Sequence, residues 1–132
     1  MRALLIDDDK RRTQPLFEYL TNVKNWQVDW ATTASEAIGI LRKGYKPFDV
    51  IILDIMMPED EEVSGPETED GLSTGLILLE KINKIRKEPT KVLLLSARSD
   101  LQKWVDNGAA DYYLKKPQFS ENIVKLLTRT AS

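Results

Sequence analysis

Residues 50–58 read VIILDIMMP: four consecutive apolar side chains run into Asp54, and Pro58 closes the turn that follows. A run this short, uniformly apolar and rich in Val and Ile is expected of a strand buried on both faces, as in a parallel sheet covered by helices. Working outward, comparable runs occur at 3–6, 28–31, 92–95 and 112–114, and those at 3–6 and 92–95 are also almost continuously apolar. Between them, apolar residues recur every three or four positions at 12–22, 35–43, 76–87, 101–107 and 120–128, the period of a helix with one buried face. Local signals agree with these boundaries. Thr33 followed by Glu36 reads as a capping box, Ser120 and Asp9 as N-caps, and Gly44 and Gly108 stand where helices end. Strand and helix alternate five times, which predicts one doubly wound α/β domain over 1–132 with no internal repeat and no linker.

The composition excludes several classes of function. A chain of 132 residues with 42% hydrophobic and 30% charged residues builds one ordinary core. With no cysteine and no histidine, it has no disulfide, no thiolate or imidazole metal ligand and no imidazole base, so any metal must favour oxygen. A net charge of −2 gives no global reason to expect direct binding of nucleic acid or of an anionic membrane. No stretch is apolar for the roughly 20 residues that a spanning helix needs. The opening MRALLIDDDK meets acid too soon for a signal peptide, so the expected location is cytoplasmic.

In an open parallel sheet, ligands bind outside the carboxyl ends of the strands. Those ends hold Asp7, Asp8 and Asp9 after the first strand, Asp54 after the third, Ser96 at the fourth, and Lys115, Lys116 and Pro117 after the fifth. Carboxylates gathered in one cleft repel one another unless a cation offsets them. A hard divalent ion with oxygen ligands, Mg²⁺ or alternatively Mn²⁺, suits such a set.

The segments IDDD (6–9), LDIMMP (53–58), LLLSAR (93–98) and ADYYLKKP (110–117) together resemble the response-regulator receiver domain of two-component signalling, across nearly the whole chain. That resemblance implies a flavodoxin-like five-stranded parallel sheet of order 2-1-3-4-5. It implies that Asp54 is the phosphoacceptor and that Asp7, Asp8, Asp54 and the backbone carbonyl of Met56 hold the metal. Ser96 takes the place of the hydroxyl that contacts the phosphoryl group, Lys116 that of the family's lysine, and the Lys116–Pro117 bond is expected to be cis. Tyr113 matches the aromatic that switches with Ser96, with a plain core role as its competitor and Tyr112 as an alternative packing residue. Lys115 reads as a solvated neighbour and Asp9 as a helix cap rather than a ligand.

The implied function is a signalling phosphoacceptor, a protein that promotes its own phosphorylation and dephosphorylation rather than turning over a metabolite. Its implied donor is a histidine kinase or histidine phosphotransfer protein, and its output is contact with a downstream protein. Two alternatives stand beside this: a degenerate receiver acting as an interaction module without phosphorylation, and a receiver fragment of a larger transcription regulator or hybrid kinase.

Three features depart from the family pattern. The 96–108 stretch is short, which predicts a fourth helix of about two turns. Gln118 separates Pro117 from Phe119. Residues 59–75 form an insertion of about 13 residues beyond an ordinary βα loop, carrying seven acids and no base and leaving 14 acids against 19 bases elsewhere. Such a segment reads either as a solvated loop or as an electrostatic screen beside the metal site, drawn toward basic surface at Lys81, Lys84, Arg86 and Lys87.

Overall fold

The computed structural model describes residues 1–44 and 46–129, so Tyr45 and the last three residues of the expected domain lie outside it. The elements, in order, are β1 (Arg2–Ile6), α1 (Lys10–Glu18), β2 (Gln27–Ala31), α2 (Ala34–Lys43), β3 (Val50–Leu53), α3 (Thr74–Ile85), β4 (Lys91–Ser96), α4 (Gln102–Asp106), β5 (Tyr112–Lys115) and α5 (Ser120–Arg129). The five strands are parallel in the order β2-β1-β3-β4-β5. After β2 the chain crosses back over β1 to β3, so the order reverses between β1 and β3. That is where the loops carrying Asp7 and Asp54 face each other.

Alternation along each strand explains why the sequence reads as continuously apolar. Leu4, Ile6, Ile51, Leu53, Val92 and Leu94 point to the face covered by α2 and α3, where they meet Ile38, Leu78 and Ile82. Ala3, Leu5, Val50, Ile52, Leu93 and Leu95 point to the other face, against Leu16, Leu20, Ile123 and Leu127 of the α1 and α5 side. Each fully buried aliphatic side chain contributes about 1.5–3 kcal/mol relative to exposure, and this two-sided core fixes the strand ends.

The helix boundaries depart locally from the sequence reading. α1 starts earlier, at Lys10, capped by Asp9 Oδ1 accepting from Arg12 N–H (3.1 Å), and passes into a π turn at Tyr19–Val23. Thr33 caps α2 as expected, accepting from Glu36 N–H (3.1 Å), whereas the Glu36 carboxylate reaches back to the Thr32 N–H (2.8 Å). Gly108 adopts φ +87 as a helix terminator, but Gly44 is extended. Ser120 is the first residue of α5 rather than the residue before it. α4 is shorter than two turns, with five residues.

The insertion corrects the sequence reading most. α3 begins at Thr74, so Thr74 and Gly75 are helical, and 66–68 form a 3₁₀ turn. The loop is a closed, anchored substructure. Its base is pinned by Met57 N–H to Gly71 O (3.0 Å), and Val63 and Thr68 are buried. Asp60 accepts from Ser35 N–H in the first turn of α2 (2.7 Å) and from Glu62 N–H and Val63 N–H. Burial alone would raise the Asp60 pKa, but these N–H donors outweigh it and hold the carboxyl below its usual range. Glu62 lies 3.6 Å from Lys81 and 3.8 Å from Arg42. The expected attraction to Lys81 is therefore present, and no described residue of 59–75 lines the cleft at the strand ends.

Candidate functional site

Two backbone hydrogen bonds extend the sheet just past its strands and set the site's frame. Asp7 N–H donates to Ala31 O and Asp54 N–H to Ile6 O, each at 3.0 Å. Trp30 Nε1 steadies the first loop by donating to Asp7 O (3.0 Å). Asp7 and Asp54 are consequently buried, at 2% and 7% exposure, while Asp8 sits at the rim. Each of Asp7, Asp8 and Asp54 offers a carboxylate oxygen within 4.8 Å of the others. From β5, Lys116 Nζ donates to Asp7 Oδ2 (2.7 Å) and stands 3.7 Å from Asp54 Oδ2. The Lys116–Pro117 bond is cis.

These groups open into a cleft of about 720 Å³, whose lining includes Asp7, Asp8, Asp54, Met56, Ala97 and Lys116. Four carboxylates, Asp7, Asp8, Asp9 and Asp54, line it against the two cations Arg12 and Lys116, so negative charge is in excess. Burial pushes the Asp54 carboxyl up from 3.8 to about 6. The nearby Lys116 opposes that rise, Asp7 adds to it, and the Ile55 and Met56 N–H groups relieve part of it. Asp8 is raised as well, first by burial and then by Asp7 and Asp9. Lys116 is held above its usual range because Asp54 and Asp7 outweigh its own burial. An all-oxygen donor set with uncompensated charge fits a hard divalent cation, and Asp7, Asp8 and Asp54 are the residues able to hold one.

The structure brings the sequence-predicted residues to one edge, with two refinements. Ser96 is fully buried, does not line the cleft, and its Oγ accepts from Arg98 N–H (3.4 Å). Tyr113 is half-buried, packs against the α2/α3-side core, and donates its hydroxyl to Arg98 O. Asp9 caps α1, and Lys115 is exposed. Arg98 closes the LLLSAR segment, but the sequence gives no sign that its guanidinium reaches Leu72 O and Ser73 Oγ at the end of the insertion. Sequence reading missed Gly75, whose N–H donates to Ile55 O (2.8 Å) directly behind Asp54.

A five-stranded 2-1-3-4-5 parallel sheet with an acidic cleft and a lysine at its switch point defines a receiver-type signalling domain. The family model for the response regulator receiver domain matches residues 3–128, and the chain belongs to that family. It is 32% identical over 124 residues to the two-component response regulator ARR12 of Arabidopsis thaliana, covering 92% of this chain and 18% of that protein. To the transcriptional activator protein IrlR of Burkholderia pseudomallei it is 27% identical, covering 96% of this chain and 48% of the relative. The chain thus spans about a fifth to a half of the curated relatives it matches. Among solved structures, the response regulator TrrA of Thermotoga maritima in complex with Mg²⁺-BeF aligns with TM-score 0.72 and 26% identity, covering 97% of this chain and 96% of that one. A CheY-like receiver from Methanospirillum hungatei shares the fold with TM-score 0.76 at 24% identity, over 98% and 91% of the two chains. Among the described residues no helix is long and apolar enough to cross a membrane.

Proposed function

We propose that this receiver domain accepts a phosphoryl group on Asp54 from a phosphohistidine of a histidine kinase or phosphotransfer protein, in a reaction assisted by Mg²⁺, and thereby switches its affinity for a downstream protein. The observation that carries the reading is the juxtaposition of a buried Asp54 with Asp7, Asp8 and Lys116 at the sheet's switch point. A carboxylate oxygen of Asp54 attacks phosphorus as the bond from phosphorus to the histidine nitrogen breaks, leaving an acyl phosphate and an imidazole. Such a transfer needs little covalent assistance and depends on alignment and on neutralising the phosphoryl oxygens. The Lys116 ammonium, already between Asp7 and Asp54, is placed to supply part of that charge. Mg²⁺ held by Asp7, Asp8, Asp54 and the Met56 carbonyl would supply the rest. Ser96 and Tyr113 are the residues proposed to respond, Ser96 by turning its hydroxyl toward the new phosphoryl group. The proposed domain spans 1–132, and its output is protein contact, with no direct binding to nucleic acid.

The direct test is incubation with acetyl phosphate and Mg²⁺, expected to give one phosphoryl group per chain that alkali and hydroxylamine release, and its absence would overturn the reading. Asp8→Ala removes an anionic ligand from a site that has few, so Mg²⁺ affinity is expected to fall by about tenfold or more. An unchanged metal titration would remove Asp8 from the ligand set. Lys116→Ala is expected to leave the fold and metal binding in place while the phosphorylated variant no longer changes its partner affinity, because the cation that registers the new charge is gone. Equal partner affinities for the phosphorylated variant and phosphorylated wild type would contradict that role. A second reading, the receiver part of a longer regulator, is motivated by the greater length of the matched relatives, and the mass of the protein in its native cell tests it.

A further inference from the structure

At the end of the sheet opposite the acidic cleft, where β3 and β4 begin, a second hollow of about 300 Å³ opens between the carboxyl ends of α2 and α3. Leu41, Pro47, Phe48 and Ile85 give it apolar walls, Arg42, Lys46, Arg86 and Lys87 give it charge, and no described acid lines it. Hydrogen bonds between the two connecting loops hold it open. Thr90 Oγ1 donates to Phe48 O, and Lys91 N–H donates to Asp49 O (3.0 Å), so the turn into β4 is tied to the turn into β3. Arg2 packs its guanidinium on the Phe48 ring, 4.1 Å from the centroid, and donates to Lys46 O. Arg86 belongs to the wall, because its Nη1 is spent on Thr90 O (3.1 Å) and Asp111 Oδ2 (3.0 Å). The other three cations are less committed. Arg42 has only a 3.8 Å contact with Glu62, and among the described residues Lys46 and Lys87 form no ion pair. Arg42 and Lys84 lie in the last turns of α2 and α3, where a cation complements the helix carbonyls. Lys46 and Lys87 lie beyond those helices, and helix capping does not account for them.

We propose that this hollow binds a small organic anion with an apolar body, its carboxylate, sulfonate or phosphate oxygens held by Lys46 and Lys87 and its body resting on Leu41, Pro47, Phe48 and Ile85. The volume is at the lower end of ligand pockets, which suits one compact molecule rather than a peptide. Lysine ammonium groups act as point charges and set no planar geometry, so the site selects charge and shape rather than one kind of oxyanion. Both parts of the ligand are needed. A bare anion would meet only exposed cations, whose pairing in water contributes little, and a neutral body would leave the lysines unpaired. The walls are tied together before any ligand arrives, so binding orders little of the protein. The acidic cleft repels the same ligand, since four carboxylates line it against two cations. The proposal does not rest on the phosphoacceptor reading, because Asp7 and Asp54 stand at the other end of the strands.

Anilinonaphthalene sulfonate, an apolar body carrying one anionic group, is the probe, titrated into the full chain at low salt near neutral pH and followed by its fluorescence. One molecule is expected to bind per chain and to shift the backbone amide resonances of Leu41, Phe48, Ile85 and Thr90. Phenylnaphthylamine, the same body without the sulfonate, and inorganic sulfate, the anion without the body, should each bind at least about tenfold more weakly, because each meets only half of the site. Lys46→Ala and Lys87→Ala should each weaken the probe about threefold and together about tenfold, and added salt should weaken wild type toward the double variant. Both lysines are exposed, so an unchanged urea midpoint is expected for these variants, and Lys46→Arg with Lys87→Arg should restore binding by returning the charge. Asp54→Asn should leave the titration as in wild type. Absence of binding, equal binding of the neutral body, or an affinity that the paired lysine variants leave unchanged overturns the site. Loss of the probe in Asp54→Asn would place it in the acidic cleft and overturn the proposal equally, without bearing on whether Asp54 accepts a phosphoryl group.

Discussion

An Asp54→Asn variant is expected to take no label from acetyl phosphate and, in the absence of metal near neutral pH, to be more stable than wild type by about 2 kcal/mol. Loss of labelling follows because an amide oxygen is not a carboxylate nucleophile. The stability gain follows from the burial of Asp54. Desolvation, with Asp7 adding and Lys116 opposing, raises its pKa from 3.8 to about 6, so folding favours the neutral form. The contribution of such a group is fully present below 3.8 and is lost as the pH rises through about 6. Each tenfold change in proton affinity corresponds to about 1.36 kcal/mol, so the ionised carboxylate costs the metal-free fold up to about 3 kcal/mol relative to a neutral group. Asparagine removes that cost and gives back part of the gain through its weaker interaction with Lys116. Two controls separate this account from a simple packing effect. The difference should vanish below pH about 4, where both side chains are neutral. It should also narrow as Mg²⁺ is added, because the ion stabilises wild type by mass action. Urea unfolding of both proteins across pH, with and without Mg²⁺, measures all of this. A variant no more stable than wild type at neutral pH without metal would mean that the cleft is wet enough to solvate the charge.

The sheet and the acidic edge it carries were legible in the sequence because both depend on short-range pattern. Continuous runs such as LLI and VIIL mark strands covered on both faces, and whatever follows such a run lies at the carboxyl edge where Asp7, Asp54, Ser96 and Lys116 meet. The insertion was not legible for the complementary reason. Its composition is that of a solvated acidic loop, yet Val63 gives it a place in the core, and Asp60 and Glu62 fasten it to Ser35 and Arg42 of α2. Single side chains at long sequence separation leave no periodic trace. The start of α3 was misplaced on the same grounds, since Ser73, Thr74 and Gly75 read as turn residues and are helical or flanking only because the insertion delivers them there already folded. The cleft likewise could be located but not its resting state: that Ser96 faces Arg98 rather than the cleft is a matter of one backbone donor.

Substituting Gly75 with alanine is expected to destabilise the protein by about 3 kcal/mol and to slow phosphorylation of the residual folded fraction, although glycine to alanine within a helix ordinarily stabilises. Gly75 is the second residue of α3, and its N–H donates to Ile55 O at 2.8 Å. That bond draws the helix onto the strip of backbone leaving β3, and a Cβ built there would stand 2.4 Å from Asp54 O and 2.5 Å from Ile55 Cα. Both neighbours are main chain, so no side chain can swing aside. Either the helix start retreats, breaking the bond to Ile55, or the Asp54 backbone moves and carries its carboxylate out of line with Lys116 and Asp7. The contrast is Gly39 in the middle of α2, where an added Cβ would meet nothing within 4 Å. There alanine should follow propensity and stabilise by about 0.5–1 kcal/mol. Denaturant unfolding of the two variants beside wild type, with labelling rates for the folded protein, gives opposite signs if close backbone approach is what requires glycine at 75. A Gly75→Ala protein as stable as Gly39→Ala would show that α3 can withdraw without cost, and the link between the insertion, the helix start and the position of Asp54 would have to be abandoned.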